Sequence, residues 1–307
     1  MDNAAPAEAP PVVVVPQTQP EKSPFRFHKW HVVTIVLLLI IAVQVMAYLP
    51  VMSRYASLEL LHRSLLSEHA ALEDDYSSLE ASYNSFQSSY DRLRNEVNSR
   101  ASASDVKSFI IPQDSAVRSV ALQATGGWSN PSDMNEYWSD MKKMYDWVVN
   151  NVDYRYDGMY PTLPSTPSGT VEYGTEMWQF PSETLDLKKG DCEDMAILLA
   201  SMILSYNDGK YSVECIWITG SSSGHVAVQF LVTGDELTIL DPAGHYYTQD
   251  GYGNLDSKEV STEINNWLDH WRPSLGSDAR VYRVFSSDLD ESFSSTSEYI
   301  TWMIDRA

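Results

Sequence analysis

The spacing of apolar positions changes along the chain, and each spacing predicts a different kind of structure. From Trp30 to Leu49 almost every position is apolar, interrupted by Thr34 and Gln44. At about 1.5 Å per residue some 20 such residues cross a bilayer core, which predicts a transmembrane helix over 30–50. From 51 to 98 the apolar positions recur every seventh residue. Leu58, Leu65, Leu72, Leu79, Phe86 and Leu93 are followed four positions later by His62, His69, Tyr76, Tyr83, Tyr90 and Val97. These are the d and a positions of a coiled coil, a rod of roughly 60 Å. Polar and aromatic residues at a weaken such a coil, while anchoring in a membrane would raise its effective concentration and favour a homo-oligomer. A single amphipathic helix folded back on the globular domain is the other reading.

The heptads stop at a Ser-rich hinge near 98–104, and residues 105–307 read as a globular domain. Phe109–Pro112 suggests a short edge strand. A helix capped by Ser132 carries Trp138, Met141, Met144, Tyr145 and Val148 on one face. Residues 153–177, with Pro161, Pro164 and Pro167, form a connection longer than most ordered ones and so either functional or flexible, and its tyrosines and Met177-Trp178 either line a substrate groove or cover the core. The run from Met195 to Leu204 is a buried helix beginning at Cys192. Strands follow near 211–219, 225–233 and 236–241, the last two joined by a hairpin at Thr233–Glu236, then a helix over 261–271, a strand over 280–285 and a helix over 288–305. Helices segregated from an antiparallel sheet make an α+β fold. Residues 1–29, rich in Pro and Ala, predict a disordered tail.

Charge narrows the partners. The chain carries 21 Lys and Arg against 42 Asp and Glu, a net charge of −21, which repels nucleic acid and anionic headgroups. Lys22, Arg26 and Lys29 precede the apolar stretch and Arg54 and Arg63 follow it. That asymmetry predicts a single-pass protein of the cell membrane with its C-terminal domain extracytoplasmic. A cleaved signal peptide ending near Val45-Met46-Ala47 is the alternative. Of the two cysteines, Cys215 sits in a β-rich run and reads as a core residue; pairing it with Cys192 would abolish a nucleophile, and two cysteines make no disulfide framework.

Cys192 follows a Gly-Asp turn at a helix N-terminus, where unpaired N–H groups and the helix dipole favour a thiolate. His225 begins a strand, and Asp241 ends one sixteen residues later, so adjacent antiparallel strands would place them together. Trp178-Gln179-Phe180-Pro181-Ser182-Glu183-Thr184-Leu185, Gly190-Asp191-Cys192-Glu193-Asp194, Gly224-His225-Val226 and Leu240-Asp241-Pro242 together resemble the transglutaminase-like superfamily, with its papain-like cysteine core. The resemblance implies Cys192 as nucleophile, His225 as general base and Asp241 as its orienting partner. In similar enzymes an upstream Trp or Gln donates to the oxyanion, which makes Trp178 or Gln179 the candidate beside the Cys192 backbone N–H. A membrane-anchored cysteine hydrolase or acyltransferase is therefore expected, acting on protein or peptide amides through an acyl-enzyme, with hydrolysis preferred over cross-linking. A non-catalytic binding or surface-structural protein on a coiled-coil stalk is the alternative. No phosphate-binding, dinucleotide or zinc motif is present, so no cofactor is expected. Asp191, Glu193 and Asp194 are explained by the dipole of the helix they begin, although a similar block in related bacterial cysteine proteases binds calcium.

Overall fold

The computed structural model describes residues 29–306; the tail expected over 1–29 lies, up to residue 28, outside them. The described residues divide into two units, with the boundary between Ser82 and Tyr83. A helix, α1 (Lys29–Arg100), begins in the first and ends in the second. Its N-terminal part is long and apolar enough to cross a membrane, with Pro50 just past the apolar stretch. Leu58, Leu65, Leu72 and Leu79 of the heptad seam are solvent-exposed.

In the second unit α1 ends at Arg100, where a turn leads to a 3₁₀ segment, Ala103–Phe109, and then α2 (Ser115–Thr125). The edge strand expected at Phe109–Pro112 does not form. Asp114 instead caps α2, its Oδ1 accepting from the backbone N–H of Ala116 and Val117 (2.8 and 3.2 Å). The next helix, α3 (Met134–Asn151), starts one residue later than Ser132 capping would place it, because Asp133 supplies the cap. Its buried face carries Tyr137, Met141, Met144, Tyr145 and Val148.

The long connection after α3 is ordered. It contains β1 (Asp153–Tyr154) and a small hairpin of β2 (Tyr160–Thr162) and β3 (Glu172–Gly174). Asn98, on the last turn of α1, is bonded to it like a strand rung: its Nδ2 donates to Leu163 O (2.9 Å) and its Oδ1 accepts from Leu163 N (2.7 Å). Tyr90 Oη donates to Pro164 O, and Arg100 pairs with Glu183 at 2.7 Å. The loop's position is therefore set by the end of a helix together with β1, which pairs in parallel with Lys189–Gly190.

Then come α4 (Pro181–Leu187), β4 (Lys189–Gly190) and α5 (Cys192–Tyr206), followed by β5 (Glu214–Thr219), β6 (Gly224–Val232), β7 (Glu236–Asp241), β8 (Tyr246–Tyr247), β9 (Lys258–Glu259), α6 (Val260–Leu275), β10 (Arg280–Phe285), β11 (Asp290–Ser292) and α7 (Thr296–Ile304). The helix expected over 288–305 is thus a short edge strand plus α7, which Ser295 caps by accepting from Glu298 N–H. The main sheet runs β11-β10-β5-β6-β7-β8 with β9 on β7, all antiparallel, so the fold is α+β.

Alternation along β6 divides the core into two layers. Val226 and Val228 pack with α5, whereas Ala227 packs with α6 and α7. Every residue of α5 from Cys192 to Ile203 is buried. Each fully buried Leu, Ile or Met side chain there is worth roughly 1.5–3 kcal/mol, which fixes the helix against the sheet and with it the position of its first residue.

Candidate active site

The site lies where the N-terminus of α5 meets the first residues of β6. Gly190 makes the approach possible: a Cβ there would stand 2.6 Å from Asp194 Cβ. Asp191 and Asp194 form a reciprocal capping box on α5, and Asp194 Oδ1 and Oδ2 also accept from the backbone and side-chain N–H groups of Gln179 (2.8 and 2.5 Å). The apolar run therefore starts its helix with Cys192 at the first position.

His225 and Asp241 come together through register. Val228 stands opposite Leu240, so Ala227, His225 and Asp241 all project from the α6 face. His225 Nε2 lies 2.9 Å from both Asp241 oxygens. Three more donors converge on that carboxylate: Trp267 Nε1 and Trp271 Nε1 on Oδ2 (2.9 and 2.8 Å), and Gly244 N on Oδ1 (2.7 Å). Gly244 is required there, since a Cβ would come 2.5 Å from Asp241 Oδ2 and 2.6 Å from Trp271 Cζ2. Burial alone would push the Asp241 carboxyl up. The charge and hydrogen bond of His225, with the Trp267 and Gly244 donors, outweigh it and hold the group below its usual range. Trp271 also covers the imidazole, with ring centroids 3.7 Å apart and planes at 30°.

Cys192 and His225 open onto the same cavity, of about 700 Å³, which Trp178 and Trp271 also line. Among the described residues the thiol's hydrogen-bond partner is Glu193 Oε2, at 3.2 Å. Burial, then the charges of Glu193 and Asp191, push the thiol well above its ordinary value. Glu193 is itself pushed up by burial and by Asp191, and Asp194 is raised to about 8 by the same two causes. Both cysteines are free, and Cys215 is fully buried as a core residue.

The two oxyanion candidates part company. Trp178 is buried at the cavity wall against Phe109, Trp217 and Phe285. Gln179 spends its side-chain amide on Asp194 and lines a different, smaller cavity. The acidic cluster is also not the expected trio. Asp194 is taken up by capping, and its place is filled by Asp157 from the long loop, whose carboxylate comes within 4.8 Å of those of Asp191 and Glu193. Asp191 Oδ1 and Glu193 Oε1 are buried without a hydrogen-bond partner. Oxygen donors with unspent lone pairs fit a hard divalent cation such as calcium. Asp157 lies 34 residues before Asp191 in the sequence, and only the fold of the loop brings it in. Trp267 and Trp271 were likewise missed as site residues; their i, i+4 spacing on α6 was the available signal.

Residues 131–267 match the family model described as "Transglutaminase-like domain". The chain carries a transglutaminase-like domain. A relative of this chain, UPF0252 protein MJ1282 of Methanocaldococcus jannaschii, is 32% identical over 118 residues, covering 36% of this chain. The chain spans about a third (32%) of that relative's length. Among solved structures, LapG of Legionella pneumophila aligns at 14% identity and a TM-score of 0.31, covering 65% of this chain and 99% of that one. A putative protease from Parabacteroides distasonis aligns at 14% identity and a TM-score of 0.31, covering 66% of this chain and 30% of that one. Within the transglutaminase-like domain lie Cys192, His225, Asp241 and Trp267, while Trp271 stands just past the matched residues.

Proposed function

We propose that the transglutaminase-like domain is a cysteine acyl-transfer enzyme acting on amides of proteins or peptides, with hydrolysis as its main outcome. The observation that supports this most is the Asp241 carboxylate, buried and holding His225 at a cavity that Cys192 shares. In the proposed reaction the Cys192 proton passes to His225 and the sulfur attacks the amide carbonyl carbon. The imidazolium, stabilised by Asp241, then protonates the leaving nitrogen. Water, deprotonated by the same imidazole, releases the acyl group and restores the thiol. The Cys192 backbone N–H and Trp178 are the proposed oxyanion donors. A divalent cation held by Asp157, Asp191 and Glu193 would neutralise the negative charge that opposes thiolate formation.

The apolar stretch of α1 is proposed as a single-pass anchor with the domain on the extracytoplasmic side, and the heptad seam as a homo-oligomeric coiled coil. The thiol's bond to Glu193 instead of His225 favours a second reading, in which the domain binds without catalysing. Intact-mass detection of low-dose iodoacetamide labelling separates the two, using the full chain in detergent as wild type, Cys192→Ala and His225→Ala. Fast labelling lost in the first variant and slowed in the second supports the enzyme. Slow labelling indifferent to His225 supports the binding module.

A further inference from the structure

The walls of the Cys192 cavity are acidic and aromatic on the side built by the long loop. Glu176 contributes a carboxylate, and Tyr154 and Tyr156 contribute rings whose centroids are 5.2 Å apart with planes at 89°. Tyr156 is 79% exposed, so it fills no core. The floor adds Asp191 and Glu193, both buried and each with an oxygen that lacks a partner. Neither a lysine nor an arginine lines this cavity among the described residues; Arg155 and Lys189 line, with Asp157, a separate cavity of about 150 Å³. Burial, and after it the charge of Asp191, push the Glu176 carboxyl up.

The aromatic and acidic wall complements a cation with an apolar stem. The Asp157, Asp191 and Glu193 oxygens are close enough to share a metal ion, but Glu176 and the two tyrosines stand outside that trio and offer the carboxylate and ring faces that recognise an organic cation. Resting on the acyl-transfer reading above, we propose that this wall is a specificity subsite for a lysine or arginine side chain of the peptide substrate, adjacent to the attacked amide. Carboxylates stabilise the protonated amine, and a protonated amine is not a nucleophile. The subsite therefore recognises substrate instead of activating an acceptor, in keeping with hydrolysis.

The test needs no known substrate. Cys192 of the full chain in detergent is labelled with three methanethiosulfonates: the cationic trimethylammonium-ethyl, the anionic sulfonato-ethyl and the smaller, neutral methyl. Each transfers its thio group to the same thiolate and releases methanesulfinate, so the thiolate fraction cancels in the ratio of rates. With EDTA present, the cation-to-anion rate ratio at Cys192, measured by intact mass against Cys192→Ala, should exceed that of N-acetylcysteine at least tenfold. Glu176→Gln should lower the excess at least threefold. Glu291→Gln, which removes one charge outside the cavity, should leave it within 1.5-fold, separating the local wall from the field of the whole acidic chain. Calcium that reduced the ratio in wild type but left a Glu176-dependent remainder would assign the trio to metal and the wall to the side chain. A ratio within twofold of N-acetylcysteine, equal effects of the two Gln variants, or failure of all three probes to reach Cys192 would overturn the subsite. Loss of His225 dependence with the charge ratio intact would overturn the enzyme reading alone.

Discussion

Trp271 does two separable things to the His225–Asp241 pair, and substitutions can divide them. Its Nε1 donates to Asp241 Oδ2 at 2.8 Å, and its ring lies on the imidazole at 3.7 Å. Trp271→Phe keeps an aromatic face and removes the donor. The acceptor is a fully buried carboxylate, and a hydrogen bond to a charged group contributes about 1.5–3 kcal/mol. For a unit of this size each kcal/mol moves the melting temperature by roughly 2–4 °C, so a fall of about 3–12 °C is expected by circular dichroism of the full chain in detergent. The sign with pH is also fixed. Asp241 is held below its unfolded value, so its contribution is present above that value and is lost as pH falls through the folded one. Removing a donor raises the folded value, so the acid unfolding limb of Trp271→Phe should begin at higher pH than in wild type. Trp271→Leu removes the stacked ring as well and should slow iodoacetamide labelling of Cys192 beyond the effect of Phe, because the imidazole loses the surface that fixes its plane. A melting temperature for Trp271→Phe within about 1 °C of wild type would refute the assignment of the indole as a structural donor. Equal labelling rates for Phe and Leu would refute the role of the stack.

Glu193→Gln removes an ionisable carboxyl 3.2 Å from the thiol; when ionised, two unit charges so placed repel by about 5 kcal/mol at an effective dielectric of 20, so the apparent thiol pKa should fall by at least about one unit in a pH profile of iodoacetamide labelling, and no fall would leave burial and Asp191 as the causes. Asp157 and Asp194 are raised to about 6 and about 8, mainly by burial. Stability from raised carboxyls is full below their unfolded values and is lost as pH rises through the folded ones. In EDTA the melting temperature should therefore drop between pH 6 and pH 8.5, calcium should flatten that drop, and a rise over the interval would contradict the burial of these acids. Asn98→Ala should leave the Leu163 backbone groups without their partners, costing roughly 1–3 kcal/mol locally; faster proteolytic cleavage within 153–177 checks it, and unchanged cleavage would mean that the β2–β3 hairpin holds the loop unaided.

What could be read from the sequence was what local pattern controls. Helical spacing and alternation located α3, α6 and the strands β5, β6, β7 and β10, and continuous apolar runs located α5 and the first part of α1. Asp241 and His225 could be paired before any coordinates, since two antiparallel strands joined by a tight turn leave little freedom of register. The failures fall where the deciding partner is distant or where a cap outweighs propensity. The segment Phe109–Pro112 is β-like in composition, yet Asp114 starts a helix immediately after it. Asp157 belongs to the site through a tertiary contact that no spacing encodes, whereas the i, i+4 spacing of Trp267 and Trp271 puts them on one face of α6 without saying what that face meets. Gln179 looked available for the oxyanion until Asp194, fifteen residues on, proved to accept its amide.

The charge state of Cys192 is where local and tertiary effects oppose each other, and magnitudes decide it. A helix N-terminus favours a thiolate by about 0.3–2 kcal/mol. Against that stand burial and a carboxylate 3.2 Å away, the latter alone worth up to about 5 kcal/mol when ionised. The resting thiol is therefore protonated, and its proton is directed to Glu193. Two routes reverse the balance in the proposed reaction. Neutralising Glu193, by a proton or by a cation shared with Asp157 and Asp191, removes the largest charge opposing the thiolate. Movement of the thiol proton to His225 then yields an imidazolium beside Asp241, whose four donors keep it ionised at the pH of the reaction. The acids that raise the thiol and the acid that stabilises its base thus differ in what surrounds them: Asp241 is saturated with donors and stays charged, whereas Asp191 and Glu193 each retain an oxygen with nothing to bind.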